Sequence, residues 1–367
     1  MGQGAERSPD PAQPLAGEIE AEARRRQERM RTFQRVVSTP YPVGQTPKQT
    51  VWTLNKAKLY RYLPPAPPAE RFPVPLLLVF ALVNRPYIFD LRPDNSFVRF
   101  MQERGFDVYL IDWGAPGPED QALRLDDYAL DYLPRAIRKV KEVSGSDELT
   151  LLGWCIGALL GVMYAALQPA DGLRNLILLT APLDFSERSC GGFLRWVDER
   201  FLNVDAILET FGNMPAELID YGAKALKPVD SYLSTYARLW ENADNPRVVD
   251  SWHAMHTWIN DGIPMAGAAF RQLIVELYRE NRLLSGTLLA RGRPVDLGAI
   301  RASLLNVVAE RDHIVPPPQS ESILARVGSS DRQLLRIPGG HIGIMAGSSA
   351  VETTWPEIER WLAARSR

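Results

Sequence analysis

The stretch Leu149-Thr150-Leu151-Leu152-Gly153-Trp154-Cys155-Ile156-Gly157-Ala158 decides how this chain is read. An apolar run breaks at a small-x-Cys-x-small turn and continues into an apolar segment that suits a helix. A strand, a sharp turn and a helix in that order are how a nucleophile is presented on a strained elbow. Gly153 and Gly157 have no Cβ, so strand and helix can close around residue 155. The turn is expected to lift the Cys155 thiol to the carboxyl end of the strand. It also aims the Ile156 N–H at any oxyanion that forms there.

Two more segments complete a constellation. Leu304 to Ala309 reads as a buried strand that delivers Glu310, Arg311 and Asp312 to its carboxyl end. Leu334 to Ile337 reads as a short strand followed by Pro338-Gly339-Gly340-His341. The 29 positions from Asp312 to His341 leave room for one crossover helix, about Gln319–Val327, and one strand. Taken singly, each piece has a plainer reading: a small buried thiol, a helix-capping Asp, a Gly-rich loop. Together they give the chain order nucleophile, acid, base, each at the end of a predicted strand. That is the order of an α/β-hydrolase, with Cys in place of Ser.

Bulk properties narrow the field. The chain has 367 residues, 46% of them hydrophobic, enough for a large core with an insertion or for two domains. A formal net charge of −2 supplies no global field for nucleic acid. There are only two cysteines, so a disulfide framework is not expected and a reducing compartment is. Cys190, in Ser189-Cys190-Gly191-Gly192, has no His or Asp pattern around it and reads as a non-catalytic thiol. No apolar run is long enough for a membrane span, and no secretory leader is evident. His253 and His256 lack a further ligand set, so no metal site is expected. No phosphate-binding loop occurs.

The order of segments sets the expected organisation. Residues 1–45 are a mobile start followed by an amphipathic helix, Glu18 to Val37, with a stripe of Ile19, Ala23, Met30, Phe33 and Val37. That helix either packs on its own core or docks a partner. Residues 46–184 and 294–367 alternate strands and helices and imply a mostly parallel, doubly wound α/β core. Val74 to Leu82 is a run suited to a strand buried on both faces. It leads to Val83-Asn84, where this fold supplies a second oxyanion N–H from one or the other residue. Residues 185–293 lose the alternation and read as a helical cap over the site. Phe185, Phe193, Phe201, Phe211, Met214, Met255 and Trp258 are candidates for its lining.

Five dispersed motifs in order resemble polyhydroxyalkanoate synthases. They are the elbow, Val83-Asn84-Arg85-Pro86-Tyr87-Ile88-Phe89-Asp90-Leu91, Asp107-Val108-Tyr109-Leu110-Ile111-Asp112-Trp113-Gly114, Asp312-His313-Ile314-Val315-Pro316-Pro317, and Gly340-His341-Ile342-Gly343. The likeness runs from about residue 45 to the end and is closest to the short catalytic subunits of two-component synthases. One departure is Ala158, where the family elbow usually has a second Gly. The resemblance implies polymerisation of (R)-3-hydroxyacyl-CoA into polyester with release of CoA. It makes Cys155 the nucleophile, His341 its base and Asp312 the third member. Asp312 would either orient His341 or activate the 3-hydroxyl of the incoming unit. His313 matches a family histidine beside the Asp and reads as a hydrogen-bonding neighbour of the site. CoA is then part of the substrate and a product, and no separate cofactor is implied. A second synthase subunit or a homodimer, and a cytoplasmic location at the surface of polyester granules, follow from the same resemblance. A Cys-dependent thioesterase or esterase with the same three residues is the competing expectation.

Overall fold

A computed structural model describes residues 12–62, 64–65, 67–190, 194–226 and 233–367. They fall into two compact units, Met1–Tyr41 with Pro228–Thr257, and Pro42–Lys227 with Trp258–Arg367.

The larger unit is built on one eight-stranded sheet. Its strands are β1 (Lys48–Leu54), β2 (Ala57–Tyr62), β3 (Leu76–Val79), β4 (Val108–Asp112), β5 (Leu149–Trp154), β6 (Leu173–Leu179), β7 (Ser303–Ala309) and β8 (Arg332–Ile337). They lie in the order β1-β2-β4-β3-β5-β6-β7-β8. The pairs β1–β2 and β2–β4 are antiparallel, and every pair from β4 onward is parallel. Parallel strands covered on both faces read as continuous apolar runs. Accordingly β3 and β5 are buried along their whole length. The centre of the sheet therefore carries the elbow, and β7 and β8 bring their carboxyl ends to the same edge.

The run Val74 to Leu82 is shorter as a strand than its apolar pattern suggests, because the chain leaves the sheet after Val79. The departing backbone lies against the helix Ile156–Leu167. A Cβ on Gly157 would stand 2.2 Å from the Val79 carbonyl oxygen and 2.7 Å from that of Phe80. A Cβ on Gly153 would stand 2.4 Å from the Ala158 Cα. Both glycines are thus steric requirements of the elbow, and Ala158 fits, fully buried. Gly157→Ala is expected to cost about 3 kcal/mol or more, since the opposing atoms are backbone and cannot rotate away. A urea-unfolding midpoint unchanged from wild type would refute this packing.

The helical segment that precedes β5 is a short turn at Leu125–Asp127, a π-helical turn at Tyr128–Tyr132 and an α-helix at Leu133–Ser144. The crossover before β8 is a short helix, Pro317–Glu321, and a 3₁₀ turn, Ser322–Ala325. Pro316 and Pro317 start it earlier than the apolar pattern alone indicates.

In the smaller unit the first helix runs Ala12–Ser38. Of the expected stripe only Phe33 lies on the packed face. Val36 is buried with Leu239 and Val249, and Phe33 and Trp252 pack against them. Ile19, Met30 and Val37 are exposed, Ile19 by 62%. The partners on this face are aromatic: Phe33 meets Trp240 edge-on and Tyr236 at a tilt. Arg29 pairs with Asp244 at 2.8 Å on the same side.

Candidate active site

Cys155 stands between β5 and the helix Ile156–Leu167 with φ 55° and ψ −124°. A positive φ is strained for a residue with a Cβ. Backbone bonds on both sides hold it there. Its N–H donates to the Leu179 carbonyl of β6 at 3.0 Å, and its carbonyl accepts the Ala158 N–H at 2.9 Å. The thiol is partly accessible. The Ile156 N–H belongs to the first turn of a twelve-residue helix, where amides have no intrahelical acceptor and the helix dipole favours negative charge.

The other two residues converge on this thiol. The His341 Nδ1–H donates to Asp312 Oδ2 at 2.7 Å. Asp312 Oδ1 accepts the N–H groups of Ile314 and Val315, both at 2.9 Å, so both carboxylate oxygens are fixed. β7 and β8 are parallel neighbours, so the loops leaving their ends meet: Glu310 N–H reaches the Ile337 carbonyl and Arg311 N–H that of Gly339. Gly339, at φ 154°, gives the second loop its turn. The imidazole of His341 hydrogen-bonds Cys155 and is only 5% exposed.

Burial alone would lower the pKa of His341. The charges of Asp312 and Cys155, with the hydrogen bonds to both, outweigh burial and raise it to about 10. The imidazole therefore holds its proton well above neutral pH. Because this pKa exceeds the unfolded value of 6.5, the pair stabilises the fold most below pH 6.5. That contribution is lost as pH rises towards 10. The Tm gap between wild type and His341→Gln is accordingly expected to narrow by several degrees between pH 6.5 and pH 10. A gap that widens over that range would contradict a raised imidazole pKa.

Val83 and Asn84, the expected second oxyanion residues, lie where the chain leaves the sheet, both partly buried. The Val83 carbonyl is taken by the Ile263 N–H at 3.1 Å, and Asn84 forms an antiparallel bridge with Gly262. Ile156 is buried at the elbow. His313 follows Asp312 directly and is partly buried. Cys190 is buried, its thiol donates to the Asp184 carbonyl at 3.5 Å, and burial with the Asp184 charge pushes its pKa up to about 12. That suits an inert thiol. Among the described residues no cluster could hold a metal ion. His253 contacts the Thr39 carbonyl, and His256 stacks on Trp252 at 4.5 Å.

Of the expected cap lining, Phe185, Met214 and Trp258 are buried, Met255 is partly buried, and Phe201 and Phe211 are exposed, Phe201 by 74%. Phe193 lies outside the described residues. Three neighbours of the site escaped the sequence reading. Trp154 stacks obliquely 6.4 Å from His341. Tyr278 is buried against Phe185 at 4.6 Å. Burial pushes its hydroxyl pKa upward, and so do the nearby charges of Cys190, Cys155 and Asp312. Asp261 grips the Val83–Tyr87 loop, as described below. Tyr278 and Asp261 lie more than 100 positions from Cys155, and no local pattern marks either.

Comparison with known proteins bears on the fold and the family. A family profile described as "alpha/beta hydrolase fold" matches residues 93–348, and one described as "Poly-beta-hydroxybutyrate polymerase (PhaC) N-terminus" matches residues 22–101. A thermophilic esterase from Thermogutta terrifontis shares the fold with a TM-score of 0.53 and 17% identity, covering 88% of this chain and 100% of its own. An esterase from Exiguobacterium antarcticum gives 0.51 and 14% over 86% of this chain and 100% of its own. The poly(3-hydroxyalkanoate) polymerase subunit PhaC of Haloferax mediterranei is 40% identical over 88% of this chain and 65% of its own length. The chain thus spans just under two thirds of that relative. The subunit of the same name from Allochromatium vinosum is 39% identical over 88% of this chain and 90% of its own. No described helix is long and apolar enough to cross a membrane. With the elbow, the strand order and this identity sustained along nearly the whole of the Allochromatium subunit, the chain belongs to the poly(3-hydroxyalkanoate) polymerase PhaC family within the α/β-hydrolase fold.

Proposed function

We propose that this chain polymerises (R)-3-hydroxyacyl groups from their CoA thioesters through an acyl-Cys155 intermediate. The observation that carries the proposal is Cys155 on the elbow, hydrogen-bonded to the His341–Asp312 pair, in a chain of the polymerase family. The Cys155 thiolate attacks the thioester carbonyl carbon. The oxyanion that forms meets the Ile156 N–H and an N–H from Val83 or Asn84. The carbon–sulfur bond to CoA breaks, and the imidazolium of His341 passes its proton to the leaving sulfur. The acyl group is then held as a second thioester of similar energy, so it stays reactive. The 3-hydroxyl of another unit gives up its proton to the now neutral His341, or to Asp312, and its oxygen attacks the acyl carbon. An ester forms and the thiolate returns.

What attacks the second thioester separates a polymerase from a hydrolase. Residues 185–293 act as a cap on this reading, with buried Phe185, Met214 and Trp258 keeping water from the acyl-enzyme. CoA enters as part of the substrate and leaves as product. A second subunit or a second copy of the chain, and the surface of the growing polyester granule in the cytoplasm, complete the proposed setting. The test is purified protein with (R)-3-hydroxybutyryl-CoA, alone and with a candidate second subunit, following free CoA and product mass. CoA release with high-mass polyester supports the proposal. CoA release with free 3-hydroxybutyrate alone would make the chain a thioesterase.

A further inference from the structure

The loop that follows β3 has a second anchor, supplied from far along the chain. Asp261 Oδ2 accepts the Tyr87 hydroxyl at 2.9 Å, and Asp261 Oδ1 accepts the Arg85 Nε–H at 3.3 Å. Trp258 Nε1–H donates to the Arg85 carbonyl at 2.8 Å. The Ile263 N–H takes the Val83 carbonyl at 3.1 Å, and Gly262 bridges Asn84. The Trp258 ring also packs on Phe80 at 6.2 Å. Six consecutive residues, Trp258 to Ile263, therefore hold Val83, Asn84, Arg85 and Tyr87 through both backbone and side chains.

We infer that Asp261 is a positioning residue for acyl transfer: through Arg85 and Tyr87 it fixes the backbone of Val83 and Asn84 at the place where the thioester oxyanion forms. This deepens the proposed function and rests on its oxyanion assignment. The physical reason is geometric. A loop that leaves a sheet has lost its ladder partners and is free to shift. An oxyanion donor works only when held at hydrogen-bond distance from a charge that exists transiently. The carboxylate binds two side chains of the loop at once, which removes rotation as well as translation. The Ile263–Val83 bond places the Val83 peptide, and with its carbonyl engaged the adjoining N–H groups stay oriented. Sequence distance hid the clamp, because 176 positions separate Arg85 from Asp261.

The test compares two reactions of the same thiol. Acyl transfer from phenyl thioacetate or (R)-3-hydroxybutyryl-CoA passes through an oxyanion. Alkylation of Cys155 by iodoacetamide displaces iodide and forms none. Asp261→Ala is expected to slow the acylation burst about tenfold with KM within about twofold, while alkylation changes less than twofold. Tyr87→Phe removes one hydroxyl and keeps the ring, and should slow acylation about threefold with the same alkylation rate. Asp261→Asn keeps an acceptor and should recover part of the loss. Acylation at the wild-type rate in Asp261→Ala and Tyr87→Phe would overturn the inference. An equal fall in acylation and alkylation would overturn it too, because that is general loosening of the site. If wild type reacts with phenyl thioacetate but releases no CoA from the hydroxyacyl substrate, the polymerase proposal falls and the clamp is still judged by the split. A wild type inert to both thioesters would sink both readings.

Discussion

Cys155→Ala is expected to lower CoA release from (R)-3-hydroxybutyryl-CoA by about 10⁵-fold and to abolish polymer, because no other group can take the acyl chain. Cys190, the only other thiol, is buried and its proton is held by burial and by Asp184, so it offers no substitute. The structure adds a stability arm to the same experiment. Residue 155 sits at φ 55°, where a Cβ is strained. Cys155→Gly should therefore be equally inactive yet more stable than Cys155→Ala by about 1 kcal/mol. Thermal unfolding of the two variants measures the strain stored at the nucleophile. Residual polymerase activity in either variant would remove Cys155 from the mechanism.

Asp312→Asn is expected to cost on the order of 10⁴-fold in acylation with little change in fold. One side-chain oxygen can still accept the Ile314 and Val315 N–H groups that Asp312 Oδ1 accepts now. The amide then turns its NH₂ towards His341 Nδ1, which needs an acceptor there. The imidazole must adopt the wrong tautomer or lose the bond, and it also loses the carboxylate charge that raises its pKa. The titration of His341 should therefore move down in the variant. The experiment also distinguishes the two roles open to Asp312. A lost CoA burst assigns it to orienting His341, which is the expected result. An intact burst with no chain growth would assign it instead to activating the hydroxyl.

Much of this site could be read from local sequence, and the reason is that an elbow is a local object. Gly153, Cys155 and Gly157 have their roles within five positions, and the close approaches at 2.2 and 2.4 Å show why a larger residue would not fit. Asp312 and His341 were legible because each sits just beyond an apolar strand, and parallel neighbours deliver their ends to one edge. The parallel sheet itself followed from alternating apolar runs. Where the pattern misled, a tertiary contact had replaced it. The run Val74 to Leu82 looks like one strand, yet it stops at Val79 because the following backbone passes over the start of the elbow helix. The stripe Ile19 to Val37 looks like the buried face, yet of its members only Phe33 packs with aromatic rings of the same unit, and the buried residue beside it is Val36.

The sequence by itself located the elbow cysteine, the Asp and His that the fold brings to it, their order and the class of sheet that carries them. Each of those depends on a short segment and on apolar periodicity. Only the tertiary structure decided the raised pKa of His341, the burial of Cys190 and the grip of Asp261 on the Val83–Tyr87 loop. These are set by burial and by charges and hydrogen bonds between residues distant in the chain. Such terms take their size from distance and desolvation in the folded protein, and a sequence pattern carries neither.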